Sequence, residues 1–263
     1  MKTILLLLFS FSLSFSAHAE NLASEGMVLI PKGPFQMGSK KSMLELRPHD
    51  LFNTDRHTLG PENPAHEVYL DSFYIDIYEV TNEAYAKFIK ETDGKEPRGW
   101  SNPKFKEPQQ PVVGVSWKEA VTFCKWQNKR LPTEAEWEKA GRGKQHVIYP
   151  WGNTQPDSSK LNYNNETKMT TAVGSFESGK SSYGVYDLSG NASEWVNDWH
   201  FPEYYLFSPK ENPPGPEKGQ YKIIRGGSWR NKAEGVDLVY RNATTPKNRS
   251  LAIGFRCARK ATP

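Results

Sequence analysis

Glycine and proline occur 20 and 19 times along this 263-residue chain, and that punctuation limits its regular structure more than any other feature. Proline interrupts helices and strand ladders, and glycine weakens both, so long regular elements are expected to be few. Three stretches between these breakers keep a helical pattern. TNEAYAKFIKETDG (81–94) starts on the capping types Thr81 and Asn82, holds Tyr85, Phe88 and Ile89 on one face, and stops at Gly94. SWKEAVTFCKWQNK pairs Ser116 with Glu119, and TEAEWEKAGRG pairs Thr133 with Glu136; each spacing is a capping box. In the former, Ala120, Phe123 and Cys124 share a face, which turns Cys124 toward the core. MVLIPKGPFQMGS (27–39) reads as two short strands about a Lys-Gly turn. VYLDSFYIDIYEV (68–80) alternates apolar and polar side chains with one slip, which suits a strand or a bulged pair. Residues 40–65 are polar, carry His49 and His57, and read as a loop insertion. Beyond Gly143 there is no helical period, only turns, short apolar pairs and aromatics.

No composition break divides the chain, and its length suits one large domain, here residues 20–263. The first nineteen residues put one lysine ahead of a Leu-, Phe- and Ser-rich run that ends in Ala17-His18-Ala19, the pattern of a secretory signal peptide. Cleavage after Ala19 predicts a secreted or periplasmic protein with no membrane span left. The formal charge of the whole chain is +4, with both signs interspersed, so the concentrated basic patch that nucleic acid requires is missing. Cys124 and Cys257 are the only cysteines. In an exported chain such a pair reads as a disulfide, against the alternative of two separately buried thiols. The six histidines offer no close-spaced pair, and His66 and His200 read as isolated structural groups.

PVVGVSWKEAVTFCKWQNKRLPTEAEWEKAGRG (111–143), YPWGN (149–153), YGVYDLSGNASEWVNDWH (183–200), RGGSW (225–229) and GFRCAR (254–259) follow in the order found in one family. They resemble the formylglycine-generating enzymes, or sulfatase-modifying factors, and the resemblance extends over nearly all of the chain from Met27 onward. It implies a single α+β domain of the complex C-type-lectin-like kind, poor in regular secondary structure and often holding calcium. It also implies the Cys124–Cys257 bridge, because these positions are joined in disulfide-bearing relatives. By the same carry-over a calcium ion is expected on backbone oxygens of Ser189, Gly190 and Ala192 with the side chains of Asn191 and Glu194. A second calcium site maps onto Asn162, Tyr163, Asn165 and Thr167. Oxygen clusters of this kind suit a hard cation, while a hydrogen-bonded turn is the other reading of both stretches.

Where the family's enzymes carry two copper-binding cysteines after Gly-Gly-Ser, this chain has Asn231 and Val236. No cysteine lies anywhere from 125 to 256, so no shift of alignment restores the pair. Copper is therefore not expected, nor is copper-dependent formylglycine formation. The resemblance leaves a groove of Trp195, Ser228, Trp229, Asn231 and Arg241, suited to a peptide or polar ligand; the other reading makes the tryptophans core and Arg241 a buried ion pair. Two functions stand open. One is an accessory, maturation or binding factor for an envelope protein or enzyme, with a protein, peptide or glycan as partner. The other is a cysteine-independent periplasmic oxidase of a peptide or siderophore precursor, similar to the relatives that mature pyoverdine, with Glu234 and Asp237 as candidate general bases.

Overall fold

The computed structural model describes residues 26–39 and 62–261. The expected signal peptide, His49 and His57 lie outside the described residues, as does nearly all of the expected 40–65 insertion. The two strands about the Lys-Gly turn are β1 (Met27–Ile30) and β2 (Gly33–Met37). They do not pair with each other. The slip in the 68–80 alternation explains why: Val68 and Leu70 are buried on β3 (His66–Leu70), Phe73 and Ile75 on β4 (Phe73–Asp76), and the phase changes at Asp71-Ser72. A one-residue change of phase moves the apolar set to the other face. The chain there leaves the antiparallel β2–β3 pair and joins a second sheet in the order β1-β4-β9, where β9 is the late strand Ala258–Lys260.

Three α-helices follow. α1 (Asn82–Thr92) has Thr81 as its cap, the hydroxyl accepting from Ala84 N at 3.3 Å, and it ends on Asp93 in the left-handed region. α2 (Trp117–Trp126) and α3 (Glu134–Arg142) begin with complete capping boxes on Ser116/Glu119 and Thr133/Glu136. Past Arg142 there is no further α-helix among the described residues, but the sequence reading missed five strands. β5 (Ser193–Trp199), β6 (Lys222–Arg225), β7 (Asn242–Thr244) and β8 (Ile253–Phe255) form a sheet in the order β7-β6-β5-β8, with β5 and β8 parallel; β9 is Ala258–Lys260. These strands are three to seven residues long, and β5 is buried on both faces, so none shows a usable alternation.

One core gathers Ile30, Phe35, Val68, Phe73, Trp137, Leu188 and Ile223 between the sheets and α3. A second packs Tyr85, Phe88, Phe123, Leu131, Trp195 and Phe255 around the Cys124–Cys257 disulfide, whose Cα atoms are 5.7 Å apart. The bridge ties α2 to the turn between β8 and β9. α3 is the least ordinary element. Its sequence is charged, yet all nine residues are buried. Glu134, Glu138 and Arg142 rise along it at intervals of four, cross-linked by Arg225 and Arg241 from outside the helix.

Candidate functional site

Two glycine-bearing loops meet beside β5. The first, Asp187–Glu194, holds Asp187, Gly190 and Asn191 at positive φ. A Cβ on Gly190 would lie 2.4 Å from the Asn162 carbonyl oxygen, so only glycine allows this approach. Asn191 donates through Nδ2 to Glu79 Oε2 at 2.7 Å and accepts from Thr171 N at 2.9 Å. Glu79 in turn accepts from Ala192 N at 3.0 Å. Arg256 forks onto Glu194 through Nε (2.6 Å) and NH2 (2.7 Å), and the Trp137 indole donates to the same carboxylate at 2.9 Å. Burial, with Asp187 and Glu194 nearby, pushes Glu79 well above the usual carboxylate range. Burial raises Asp187 to about 6.

The donor set of the expected calcium site does not fit calcium in this arrangement. Glu194 is the one carboxylate among the expected ligands, and its two oxygens are engaged by Arg256 and Trp137. The Asn191 side chain is spent on Glu79 and Thr171. The buried Ser189 hydroxyl has no partner, but one neutral oxygen cannot replace a carboxylate beside a guanidinium. The second set closes on itself. Thr167 Oγ1 is 2.7 Å from Asn162 Oδ1 and 2.6 Å from the Met169 carbonyl. Asn165 donates its N–H to the Trp229 carbonyl at 2.6 Å, and the Tyr163 hydroxyl donates to the Pro156 carbonyl at 3.2 Å. Both stretches match the hydrogen-bonded-turn reading. Among the described residues no three His, Cys, Asp or Glu side chains converge to hold a metal.

The second loop runs from Arg225 to Arg241. Gly227 has φ +66, and a Cβ there would stand 2.0 Å from the Gly235 carbonyl oxygen, so the loop folds back on itself only with glycine. Asn231, at the first cysteine position, accepts from Ser228 N at 3.0 Å and from Ser228 Oγ at 2.9 Å. Val236, at the second, is fully buried against Tyr149 and Leu161. Both cysteine sulfurs are joined to each other in a disulfide, which leaves no free thiolate of the kind that binds copper(I) in the family's enzymes.

The groove residues are not brought together as a surface. Trp195 is core, its indole donating to the Val115 carbonyl at 3.0 Å. Arg241 is buried and paired with Glu134 through Nε at 2.8 Å and NH2 at 3.0 Å. Trp229 is 5 % exposed, and the Arg230 guanidinium sits 4.5 Å from its ring centre. Of the two readings left open, the packing one describes Trp195, Trp229 and Arg241. Asp237 is also buried, and one of its oxygens accepts from Val239 N (3.1 Å) and Tyr240 N (2.6 Å). Glu234 is exposed. His66 contacts the Pro64 carbonyl (3.0 Å) and Ser208 (3.2 Å) through its two ring nitrogens. His200 keeps a buried Nε2 without a partner, and burial lowers its pKa.

Tyr149 is what the sequence reading missed at this loop, and Tyr163, expected there as a calcium ligand, is its neighbour. The Tyr149 phenol is pushed up to about 12 by burial and then by Asp237, Glu234 and Tyr163 around it. Its ring stacks on Trp151, with centroids 5.0 Å apart and planes within 1°. The signal was YPWGN, a motif with no role attached to it. The remaining open rim is polar: Asn164, Arg230, Asn231, Lys232 and Glu234.

The chain matches the sulfatase-modifying factor enzyme 1-like domain over residues 13–261. It belongs to that family. A formylglycine-generating enzyme of Streptomyces coelicolor is 29% identical over 296 residues, covering 91% of this chain and 90% of that protein. A protein named serine/threonine-protein kinase pkn1 of Chlamydia caviae is 34% identical over 254 residues, which span 89% of this chain but 38% of the kinase-named protein. The structure of PvdO from Pseudomonas aeruginosa superposes with a TM-score of 0.70 at 27% identity, over 89% of this chain and 94% of that one. The fold is the one shared by this family.

Proposed function

We propose that this chain is an exported, thiol-independent member of the family that binds another exported polypeptide at the polar rim of the 228–237 loop and serves its maturation. The observation that carries this reading is the rebuilt cysteine position. Asn231 is a cap on Ser228 and Val236 is core, so the loop keeps its shape without any sulfur. What stays open is a rim of amides and charges, suited to peptide hydrogen bonding. A photoreactive side chain at position 230 or 232, activated in the living cell, tests it. One discrete adduct with an exported polypeptide is expected, lost when Lys232→Glu is added to a position-230 probe. Smears without a discrete band would refute it.

The runner-up is a cysteine-independent oxidase of a peptide or siderophore precursor. The similarity to PvdO and the Tyr149 phenol beside Glu234 and Asp237 keep it in play. Oxygen uptake coupled to an oxidised product, lost in Glu234→Gln/Asp237→Asn but not in Lys232→Glu, would select it over the binding role.

A further inference from the structure

A cavity of about 610 Å³ opens near the end of α3, and none of Ser228, Asn231, Glu234, Val236 or Asp237 lines it. Its volume falls within the range of small-ligand sites. Trp151 forms part of its wall. One face of that indole is covered by Tyr149, and its N–H is tied to the Thr154 carbonyl at 3.1 Å, so the ring is fixed before any ligand arrives. The side chain is nonetheless partly exposed, which leaves a second face for stacking.

The charged lining is unbalanced. Of the three cations that line it, Lys180 is paired with Glu177 and Arg142 with the buried Glu138, which leaves the exposed Lys144 as the cation without an acid beside it in the lining; Glu177 also accepts from the Tyr186 hydroxyl. Arg142 is buried, holds the Gly38 carbonyl (2.7 Å) and Glu138 (2.8 Å) through NH1, and keeps an Nε without a partner. Ser182 adds a hydroxyl. Gly143 fixes where it sits: with φ +65, any Cβ there would be 2.3 Å from Ser182 Oγ.

A fixed aromatic face, the Lys144 ammonium beside the buried Arg142 and a hydroxyl at one rim are complementary to a ring that carries both hydroxyls and an anion. We propose that this cavity binds an acidic sugar, a pyranose bearing a carboxylate or a sulfate, with the ring on Trp151 and the anionic group toward Lys144 and Arg142. The site is separate from the polypeptide-binding rim and does not depend on it.

Calorimetric titration of the disulfide-intact protein with a glucuronate-containing disaccharide, a sulfated disaccharide and neutral cellobiose tests this. Binding of at least one acidic sugar is expected, about tenfold or more tighter than the neutral one, weakening as salt is raised. The two acidic probes separate the carboxylate source from the sulfate source. Trp151→Ala should lower affinity about tenfold. Lys144→Glu, an exposed position, should do the same in a fold that Trp151→Ala could disturb. Lys232→Glu should change nothing here, so loss of the polypeptide rim and loss of this site are told apart. Equal binding of acidic and neutral sugars, binding unaffected by Lys144→Glu, or no heat with either acidic probe up to about 10 mM would overturn the proposal.

Discussion

Replacing Arg225 with methionine tests the charged ladder that runs through the core. The guanidinium is fully buried and serves four acceptors: Glu134 at 3.2 Å, Glu138 at 2.6 Å, and the carbonyls of Val239 (3.2 Å) and Leu238 (2.6 Å). Methionine keeps much of the volume but none of the donors. Breaking a buried pair costs roughly 3–5 kcal/mol, because the partner charge is left uncompensated. Here Glu134 keeps Arg241 and Glu138 keeps Arg142, which moderates the loss, while two orphaned carbonyls add to it. A loss of about 4 kcal/mol, near 10 °C in Tm, is the expected result at neutral pH. The pH dependence has a defined sign. Burial pushes Glu134 up, but Arg241 and Arg225 outweigh it and hold the carboxyl below its ordinary 4.5. A depressed acid contributes stability above its unfolded pKa and loses it as pH falls through the folded value. Removing Arg225 lets Glu134 rise, so the mutant's deficit is largest at neutral pH and narrows once pH falls below 4.5. Urea unfolding followed by tryptophan fluorescence at neutral pH and below 4.5 measures this. The triple variant Glu134→Gln/Glu138→Gln/Arg225→Met should be less stable still, because it also strands Arg241 and Arg142. A single mutant within about 1 kcal/mol of the parent at neutral pH would refute the reasoning.

The Cys124–Cys257 bridge spans 133 residues, so the Cys124→Ala/Cys257→Ala variant should lose up to ~5 kcal/mol and about 10 °C in a thermal melt; a drop under about 3 °C would show that the bridge adds little. Asp187 is raised from 3.8 to about 6, so the folded state holds its proton longer and stability falls as pH rises between those values, by roughly 2–3 kcal/mol. Asp187→Asn should flatten that segment of the stability–pH curve, and an unchanged slope would count against the assignment. Glu194→Gln should destabilise by about 3 kcal/mol by stranding Arg256, and calcium at ~1 mM should leave the melting curve of the parent within about 1 °C; a larger calcium shift would restore the metal reading.

Local signals were legible where a few neighbouring residues decide the outcome. The two capping boxes and the Thr81 cap are set by side chains three residues apart, and all three helices start where those residues stand. The disulfide was legible from the expected compartment and the resemblance together. The strands after Gly143 were not, because short segments buried on both faces carry no alternation. Glu194 and Arg241 show a different limit. A sequence motif marks a residue as fixed in kind without saying what it touches, and the partners here are 62 and 107 positions away. Tyr149 went unnoticed for the same reason: its neighbours Asp237 and Glu234 come from the far loop.

A fold with so few helices and such short strands leaves many loop carbonyls inside, and each needs a donor. The buried cations supply them. Arg256 donates to the carbonyls of Asp76, Ile77 and Tyr186, Arg225 to those of Leu238 and Val239, Lys139 to Pro31 and Gly33, and Lys222 to Asn197. A guanidinium offers five donors in a fixed plane, so one arginine can pin several loops at once. Its charge must then be neutralised in place, which requires Glu194 beside Arg256 and Glu134 with Glu138 beside Arg225. Burial unaided would drive the lysines down, and it does: Lys139 and Lys222 both sit near 8. The acid that resembled a calcium ligand is thus the counter-ion of a loop clamp. The glycine-shaped 225–241 loop is held in the same way at its root by Arg225 and at its end by Arg241, with Asn231 capping Ser228 and Val236 packed inside between them, so the loop needs no sulfur to keep its shape.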